Sequence, residues 1–157
     1  MNGGRMAIDD LITYFREDIF FEDFIADTKE EALDKLVEKF VDAGIIKNKE
    51  LVAEMLHRRE SIGSTGIGKG IAVPHGRTTA APVLTIAFAK VNAGLDWDSL
   101  DGKPVHLIFV VIAPPFEESN LYLPVLGRLV EFLSKESNRN RLNDVTSFDE
   151  FRELLTE

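Results

Sequence analysis

The segment that most constrains the fold is Val105–Ala113, which is apolar throughout except for His106. A strand of this composition has to be covered on both faces, because a strand with one wet face alternates apolar and polar residues. Helices on the two sides of a sheet provide that cover within one domain. The run therefore predicts a central strand of an α/β sheet that ends at Pro114-Pro115.

Segments whose apolar residues have helical spacing precede and follow this strand. Thr28 and Glu31 have capping-box spacing at the start of an amphipathic segment that ends at Gly44, and Asn48 can cap a second helix. Ser147 and Glu150 repeat the capping box before a terminal helix. The apolar positions that we predict to face inward are Leu51, Val52, Met55 and Leu56 in the second helix, Leu123, Leu126, Leu129, Val130 and Leu133 in the helix after the long strand, and Phe151, Leu154 and Leu155 in the last.

The remaining elements are shorter. Asp9 can cap a first helix carrying Leu11, Ile12 and Phe15. Predicted strands are 19–21, 71–73 and 83–89, with turns at 92–94 and 101–104. Because the order does not alternate regularly between strand and helix, we predict a mixed parallel and antiparallel sheet. The chain of 157 residues suits one α/β domain, a central mixed β-sheet flanked by α-helices, over residues 7–157 after a loose extension at 1–6.

Charge and cysteine content exclude several classes of function. The formal net charge is −9, which disfavours nucleic acid or an anionic membrane as the main partner and favours a basic protein. There is no cysteine, which excludes disulfides, thiolate metal sites and cysteine nucleophiles. No apolar run approaches the ~20 residues of a membrane span, so we expect a cytoplasmic protein without direct membrane insertion.

Five of the 11 glycines lie between Gly63 and Gly76, and we predict no regular element in the stretch from Gly63 to Gly70. Gly63 to Lys69 matches G-x-x-x-x-G-K, but Gly70 stands where a phosphate-binding loop needs Ser or Thr. The order of helix, loop and strand is also the reverse of a nucleotide site. From these residues alone a tight turn is the preferred interpretation, and a nucleotide site stays open as a remote alternative.

His75 adds chemistry to this turn because it follows a predicted strand and lies between Pro74 and Gly76. We expect it to be accessible, since Gly76 has no side chain that could cover it. A neutral imidazole can accept a phosphoryl group directly. Such a site needs one ring nitrogen held by a hydrogen bond, donors for the phosphoryl oxygens and a cation.

Ser64 and Thr65 could supply hydroxyl donors, and Arg59 a bidentate cation. Each also has an ordinary explanation, turn hydrogen bonds for the first two and a solvated helix end for Arg59. We expect His57 at the surface and His106 as a hydrogen-bonded structural residue.

The combined pattern resembles the fructose/mannitol-type enzyme IIA domain of the bacterial phosphoenolpyruvate-dependent sugar phosphotransferase system, a family that includes the nitrogen-regulatory IIA proteins. The resemblance rests on Arg59-Glu60, on 63–68 and on 70–76, and extends through 94–102 and 104–109.

The resemblance implies that His75 takes a phosphoryl group from the phosphocarrier HPr, or a nitrogen-branch equivalent, and passes it to an enzyme IIB. It further implies that Arg59 steadies the phosphoryl group, that Ser64 and Thr65 lie beside it, and that no metal or other cofactor is needed.

One position departs from the family, which usually has a second histidine at the start of the helix after the last strand. Tyr122 occupies that place here, and no histidine follows His106. A tyrosine can donate one hydrogen bond but carries no positive charge near pH 7. Two interpretations therefore stay open: a sugar-branch phosphoryl carrier, and a nitrogen-branch regulatory or binding module with weak or no transfer.

Overall fold

The computed structural model describes residues 8–117 and 120–156, with the backbone alone for 8–10. The predicted boundary after residue 6 lies outside the described residues, as does the side chain of Asp9. In chain order the elements are a 3-10 helix (Ile8–Tyr14), β1 (Phe15–Phe21), α1 (Lys29–Asp42), α2 (Lys49–Ile62), β2 (Gly66–Gly68), β3 (Ile71–Ala72), β4 (His75–Arg77), β5 (Thr85–Leu95), β6 (Val105–Ala113), α3 (Tyr122–Leu133), α4 (Glu136–Asp144) and α5 (Phe148–Thr156).

The strands form one mixed sheet in the order β1-β5-β6-β3-β2, with β4 also paired to β6. β5 and β6 are antiparallel, whereas β1 runs parallel to β5, and β3 and β4 run parallel to β6. The predicted strand Val105–Ala113 is confirmed and is the centre of the sheet. It has strands on both sides because β5 covers one of its edges and the short β3 and β4 share the other.

Side chains of β6 alternate between two hydrophobic cores, which explains its unbroken apolar sequence. Ile108, Val110 and Ile112 pack with α1 and α2 on one face. Phe109 and Val111 pack with the 3-10 helix, α3, α4 and α5 on the other. The predicted single α/β domain with helices on both sides of a mixed sheet is therefore confirmed.

The predicted helix starts are confirmed by their caps. The backbone amides of Glu31, Leu51 and Glu150 donate to the side chains of Thr28, Asn48 and Ser147 at 3.1, 3.0 and 3.1 Å. Two predicted inner faces are partly wrong. Leu51 is exposed, and on α3 the buried face is set by 3.6-residue spacing from Tyr122. Residues 123 and 130 therefore face solvent, and the buried side chains of α3 are Tyr122, Val125, Leu129, Phe132 and Leu133.

Several strand and turn predictions need correction. Phe15 begins β1 instead of continuing the first helix, and part of the glycine-rich stretch forms β2 against β3. The strand predicted over 83–89 begins at Thr85 and continues through the predicted turn at 92–94 to Leu95, because the β5–β6 register shifts there as a bulge. Gly94 has a φ of +82° at this bulge and packs against His106, so a side chain at this position would be both strained and crowded.

The sequence pattern also missed α4, whose sequence is almost entirely polar and which buries Leu142. Among the described residues, no helix has the length and apolar character that crossing a membrane requires.

Candidate functional site

His75 opens β4 and pairs with Val111 of β6. Val111 belongs to the core under α3, so the half-buried imidazole lies on the α3 side of the sheet. The structure thus places His75 within a short strand, where the sequence suggested the end of one. Three consecutive pairs with β6, from His75 to Arg77, fix the backbone on which the ring stands.

The Nδ1 atom of His75 lies 2.7 Å from the carbonyl oxygen of Val73. A carbonyl can only accept a hydrogen bond, so Nδ1 carries the proton and donates it. The neutral ring then has its lone pair on Nε2, which has no hydrogen-bond partner within the described residues. The local backbone therefore selects the tautomer in which Nε2 is the nucleophilic atom.

Gly76 faces the opposite side of the sheet from His75, where a side chain has no room. Its side-chain position points to α2, where an added Cβ would overlap the Met55 sulfur. The sequence interpretation was that a glycine leaves His75 uncovered. The structure gives a different reason, which is the close approach of α2 to β4.

Tyr122 begins α3 and lies beside the histidine, with ring centroids 6.5 Å apart. The guanidinium carbon of Arg77 stands 4.4 Å from the centroid of the same phenol ring. Burial raises the pKa of Tyr122 above its ordinary value of 10.0, while the positive charges of Arg77 and Arg59 act in the opposite direction. The phenol is therefore neutral near pH 7 and sits in the field of two guanidinium groups.

Arg59 lies in the last turn of α2, and its Nη1 donates to the carbonyl oxygen of Gly63 at 2.8 Å. This bond holds the guanidinium at the helix end and leaves its other N–H groups available. A groove of about 370 Å³ runs between α2 and the strand of His75, lined in part by Met55, Arg59, Ile62 and Arg77. Both arginines thus border an open space next to β4.

Ser64 and Thr65 lie in a hydrogen-bonded network behind the glycine-rich loop. The Ser64 hydroxyl donates to the Trp97 carbonyl at 2.9 Å, and the Thr65 hydroxyl donates to Glu60 at 2.6 Å. Glu60 also accepts from the Thr65 amide at 2.7 Å and from Lys29 at 3.3 Å. The Trp97 indole N–H completes the network by donating to the Thr65 hydroxyl oxygen at 3.1 Å.

A hydroxyl has one hydrogen, and those of Ser64 and Thr65 are already donated within this network. Thr65 and Trp97 are also buried, at 3% and 0% exposure. In this conformation the two hydroxyls hold the loop and are not available as donors to an added phosphoryl group.

The other histidines are placed as the sequence predicted. The Nε2 of His57 lies 2.7 Å from an Asp34 carboxylate oxygen on the outer side of α1 and α2, with about a third of its side chain exposed. The Nδ1 of His106 lies 3.1 Å from the Val91 carbonyl oxygen. Within the ranges that the structure describes, no three His, Asp or Glu side chains form a group that could hold a metal ion.

Sequence reasoning missed Arg77 and gave no role to Glu60. Arg77 could have been found from β alternation, because residues 75 and 77 of one strand share a face. The Glu60 network could not, since its members come from residues 29, 60, 64, 65 and 97, which only the folded chain brings together.

A family model described as "Phosphoenolpyruvate-dependent sugar phosphotransferase system, EIIA 2" matches residues 13–157. The chain is 34% identical over 130 residues to the fructose-specific EIIA component of Haloferax volcanii, covering 83% of this chain and 84% of that protein. It is 36% identical over 129 residues to the fructose-specific EIIABC component of Bacillus subtilis, covering 82% of this chain. That match spans only 20% of the longer relative.

Nitrogen-regulatory proteins are also similar. The nitrogen regulatory protein homolog of Haemophilus influenzae is 32% identical over 120 residues, covering 74% of this chain and 73% of the relative. The crystal structure of nitrogen regulatory protein IIA-Ntr from Neisseria meningitidis superposes with a TM-score of 0.84 at 31% identity, covering 92% of this chain and 97% of that one.

Mannitol-specific structures match as well. IIA mannitol from Escherichia coli gives a TM-score of 0.73 at 30% identity, covering 88% of this chain and 96% of that one. The Escherichia coli complex of enzyme IIA mannitol with phosphorylated enzyme IIB mannitol gives 0.74 at 28% identity, covering 90% and 97%.

Proposed function

The chain belongs to the EIIA 2 family of the phosphoenolpyruvate-dependent sugar phosphotransferase system, and from that premise we propose that it carries a phosphoryl group on Nε2 of His75. The donor is an HPr-type phosphocarrier protein and the acceptor is an enzyme IIB component. The single observation that carries this proposal is the hydrogen bond from Nδ1 of His75 to the Val73 carbonyl, which leaves the Nε2 lone pair free to attack phosphorus.

The transfer is a displacement at phosphorus. The Nε2 lone pair of His75 forms a P–N bond while the P–N bond of the donor phosphohistidine breaks, and the donor nitrogen keeps that electron pair. The Nδ1 proton remains on the ring, bonded to the Val73 carbonyl, throughout. In the second step a nucleophile of enzyme IIB attacks the same phosphorus, and Nε2 regains its lone pair.

The other predicted site residues act around this atom. Arg59 has N–H groups left to bind phosphoryl oxygens, and its bond to Gly63 restrains the side chain. Gly76 lets α2 approach β4 closely. Ser64 and Thr65 support the reaction indirectly, because their hydrogen bonds to Trp97 and Glu60 fix the loop at the end of α2.

Family membership and charge support these partners. The formal net charge of −9 favours docking of a protein with a basic face, which fits a phosphocarrier better than it fits nucleic acid. A IIB acceptor is supported by the Escherichia coli mannitol complex, in which the IIA similar to this chain is bound to phosphorylated enzyme IIB.

Intact-protein mass spectrometry after incubation with phosphoenolpyruvate, enzyme I and HPr tests the proposal. We expect one acid-labile phosphoryl adduct on the wild-type chain and none on His75→Ala. His57→Ala is the matched control, because this histidine faces Asp34 away from the site, and it should be labelled like the wild type. An adduct that persists in His75→Ala would overturn the proposal.

A second candidate function is regulation in the nitrogen branch with little onward transfer. It is favoured by the similarity to IIA-Ntr from Neisseria meningitidis and by Tyr122 at the position of the usual second histidine. Competition between a sugar-branch HPr and its nitrogen-branch equivalent for one pool of this chain separates the two. Faster labelling by the nitrogen-branch carrier, without discharge to any IIB, would favour regulation.

A further inference from the structure

We propose that Arg77 is a second phosphoryl-binding residue, held over the Tyr122 ring so that its guanidinium supplies the positive charge next to His75. The inference rests on the proposed function, since it concerns the phosphorylated state of His75. In this proposal the Tyr122 ring supports the guanidinium of Arg77.

The strand places Arg77 on the correct face. Residues 75 and 77 of β4 pair with Val111 and Ala113, which both belong to the core under α3. Side chains two apart on a strand share a face, so His75 and Arg77 both project toward α3. Gly76 between them points to α2 instead.

Two contacts hold the guanidinium there. It lies 4.4 Å above the Tyr122 ring, and its Nη1 donates to the Pro115 carbonyl oxygen at 3.2 Å. The first is a cation–π contact and the second ties the same group to the connection after β6. A planar guanidinium can stack on the ring and donate to the carbonyl at the same time. The compact ammonium of lysine has no planar fork of donors and cannot combine the two contacts in this way.

The same phenol ring links Arg77 to the histidine. Tyr122 has one neighbour in the His75 ring, at 6.5 Å between centroids, and another in Arg77. The charge of Arg77, like that of Arg59, reaches the phenol strongly enough to oppose the effect of burial on its pKa. Two guanidinium groups therefore act on the phenol ring that is itself a neighbour of the His75 ring.

Arg59 and Arg77 together can balance the charge of a phosphoryl group on His75. A phosphoryl group on the ring carries about two negative charges near neutral pH, as other phosphoryl groups do. Arg59 and Arg77 supply two positive charges, because the guanidinium group of arginine stays charged in proteins. An imidazole at position 122 would be largely neutral near pH 7. The absence of the usual second histidine is therefore compatible with a well-stabilised phosphorylated state in this chain.

The test uses potassium phosphoramidate as the phosphoryl donor, which removes protein docking from the measurement. The P–N bond of the reagent breaks, the bond from phosphorus to Nε2 forms, and ammonia leaves. The rate of adduct formation and its lifetime at neutral pH are followed by intact mass for the full chain, Arg77→Gln, Arg77→Lys and Arg152→Gln. Arg152 of α5 is a matched control because it is exposed, pairs with Asp149, carries the same charge and does not line the groove beside β4.

We expect Arg77→Gln to lower the rate or the lifetime by about ten- to a hundredfold, as removal of a charged hydrogen-bond donor at a reacting centre does. Arg77→Lys should fall between Arg77→Gln and the wild type, and Arg152→Gln should match the wild type. Equal rates and lifetimes in Arg77→Gln and Arg152→Gln would overturn the proposal for Arg77 alone. A wild type that acquires no adduct on His75 would instead count against the proposed function.

Discussion

Two polar regions flank the end of α2, and they differ in how completely their hydrogen bonds are satisfied. Behind the glycine-rich loop, the buried Thr65 hydroxyl donates to Glu60 of α2 and accepts from the buried Trp97 indole, and the Glu60 side chain is only 7% exposed. On β4, the Nε2 of His75 is unpartnered within the described chain, and Arg77 is exposed. The comparison indicates that the saturated network is a structural support, whereas the strand keeps the unpartnered groups that the proposed transfer needs.

The largest expected effect is the loss of stability when the hydrogen-bonded network around Glu60 is broken. Glu60→Ala leaves the Thr65 amide and the Lys29 ammonium without their carboxylate, and the Glu60 side chain is only 7% exposed. We expect the free energy of unfolding in urea to fall by about 3 kcal/mol. Glu54→Ala on the exposed side of α2 should change it by about 0.5 kcal/mol or less. Equal stability of the two variants would remove the basis of the comparison.

A smaller effect is expected where β4 touches α2. In Gly76→Ala the new methyl group overlaps the Met55 sulfur, and because a thioether chain can move aside, we expect a loss of about 1–2 kcal/mol. The control is Gly127→Ala, at an open position of α3, which should gain up to about 1 kcal/mol.

Combining Gly76→Ala with Met55→Ala in a double-mutant cycle sharpens this result. The two changes should couple favourably by at least about 0.5 kcal/mol if the sulfur is the obstacle. Strictly additive losses would mean that Gly76 is needed for another reason.

The smallest effect concerns the Tyr122 hydroxyl. Because burial raises the pKa of the folded phenol, only the unfolded chain ionises readily just above pH 10, and its ionisation favours unfolding. The contribution of Tyr122 to stability is thus complete below pH 10 and is lost as the pH rises through the folded-state value. Urea unfolding from pH 8 to 11 should show the wild type losing stability faster than Tyr122→Phe above pH 10. Parallel curves would contradict this assignment.

The sequence was sufficient to predict those elements that are determined by one strong local signal. The apolar strand Val105–Ala113 and the caps at Thr28, Asn48 and Ser147 needed no information about the rest of the chain. The misplaced turn at 92–94 shows the limit of such signals, because Asn and Gly favour turns and also occur at a bulge within a paired strand. The polar helix α4 has too few apolar residues to produce a recognisable period.

The candidate site was predictable in its centre and less so around it. His75, Arg59 and Tyr122 stood out by motif, and the structure places them around one region. The hydrogen bond from His75 to the Val73 carbonyl is local, but it depends on the backbone geometry that β4 adopts against β6, which no motif encodes. The stacking of Arg77 on Tyr122 is a tertiary contact. These contacts determine which atoms are free for the proposed transfer.

The most direct test of the central claim is an NMR correlation experiment on protein with ¹⁵N-labelled histidine, before and after phosphorylation by HPr. The chain has three histidines, so each ring can be assigned separately. We predict coupling of phosphorus to Nε2 of His75 alone, with the proton retained on Nδ1 and the rings of His57 and His106 unchanged. Phosphorus on Nδ1 of His75, or on either of the other two rings, would contradict the account.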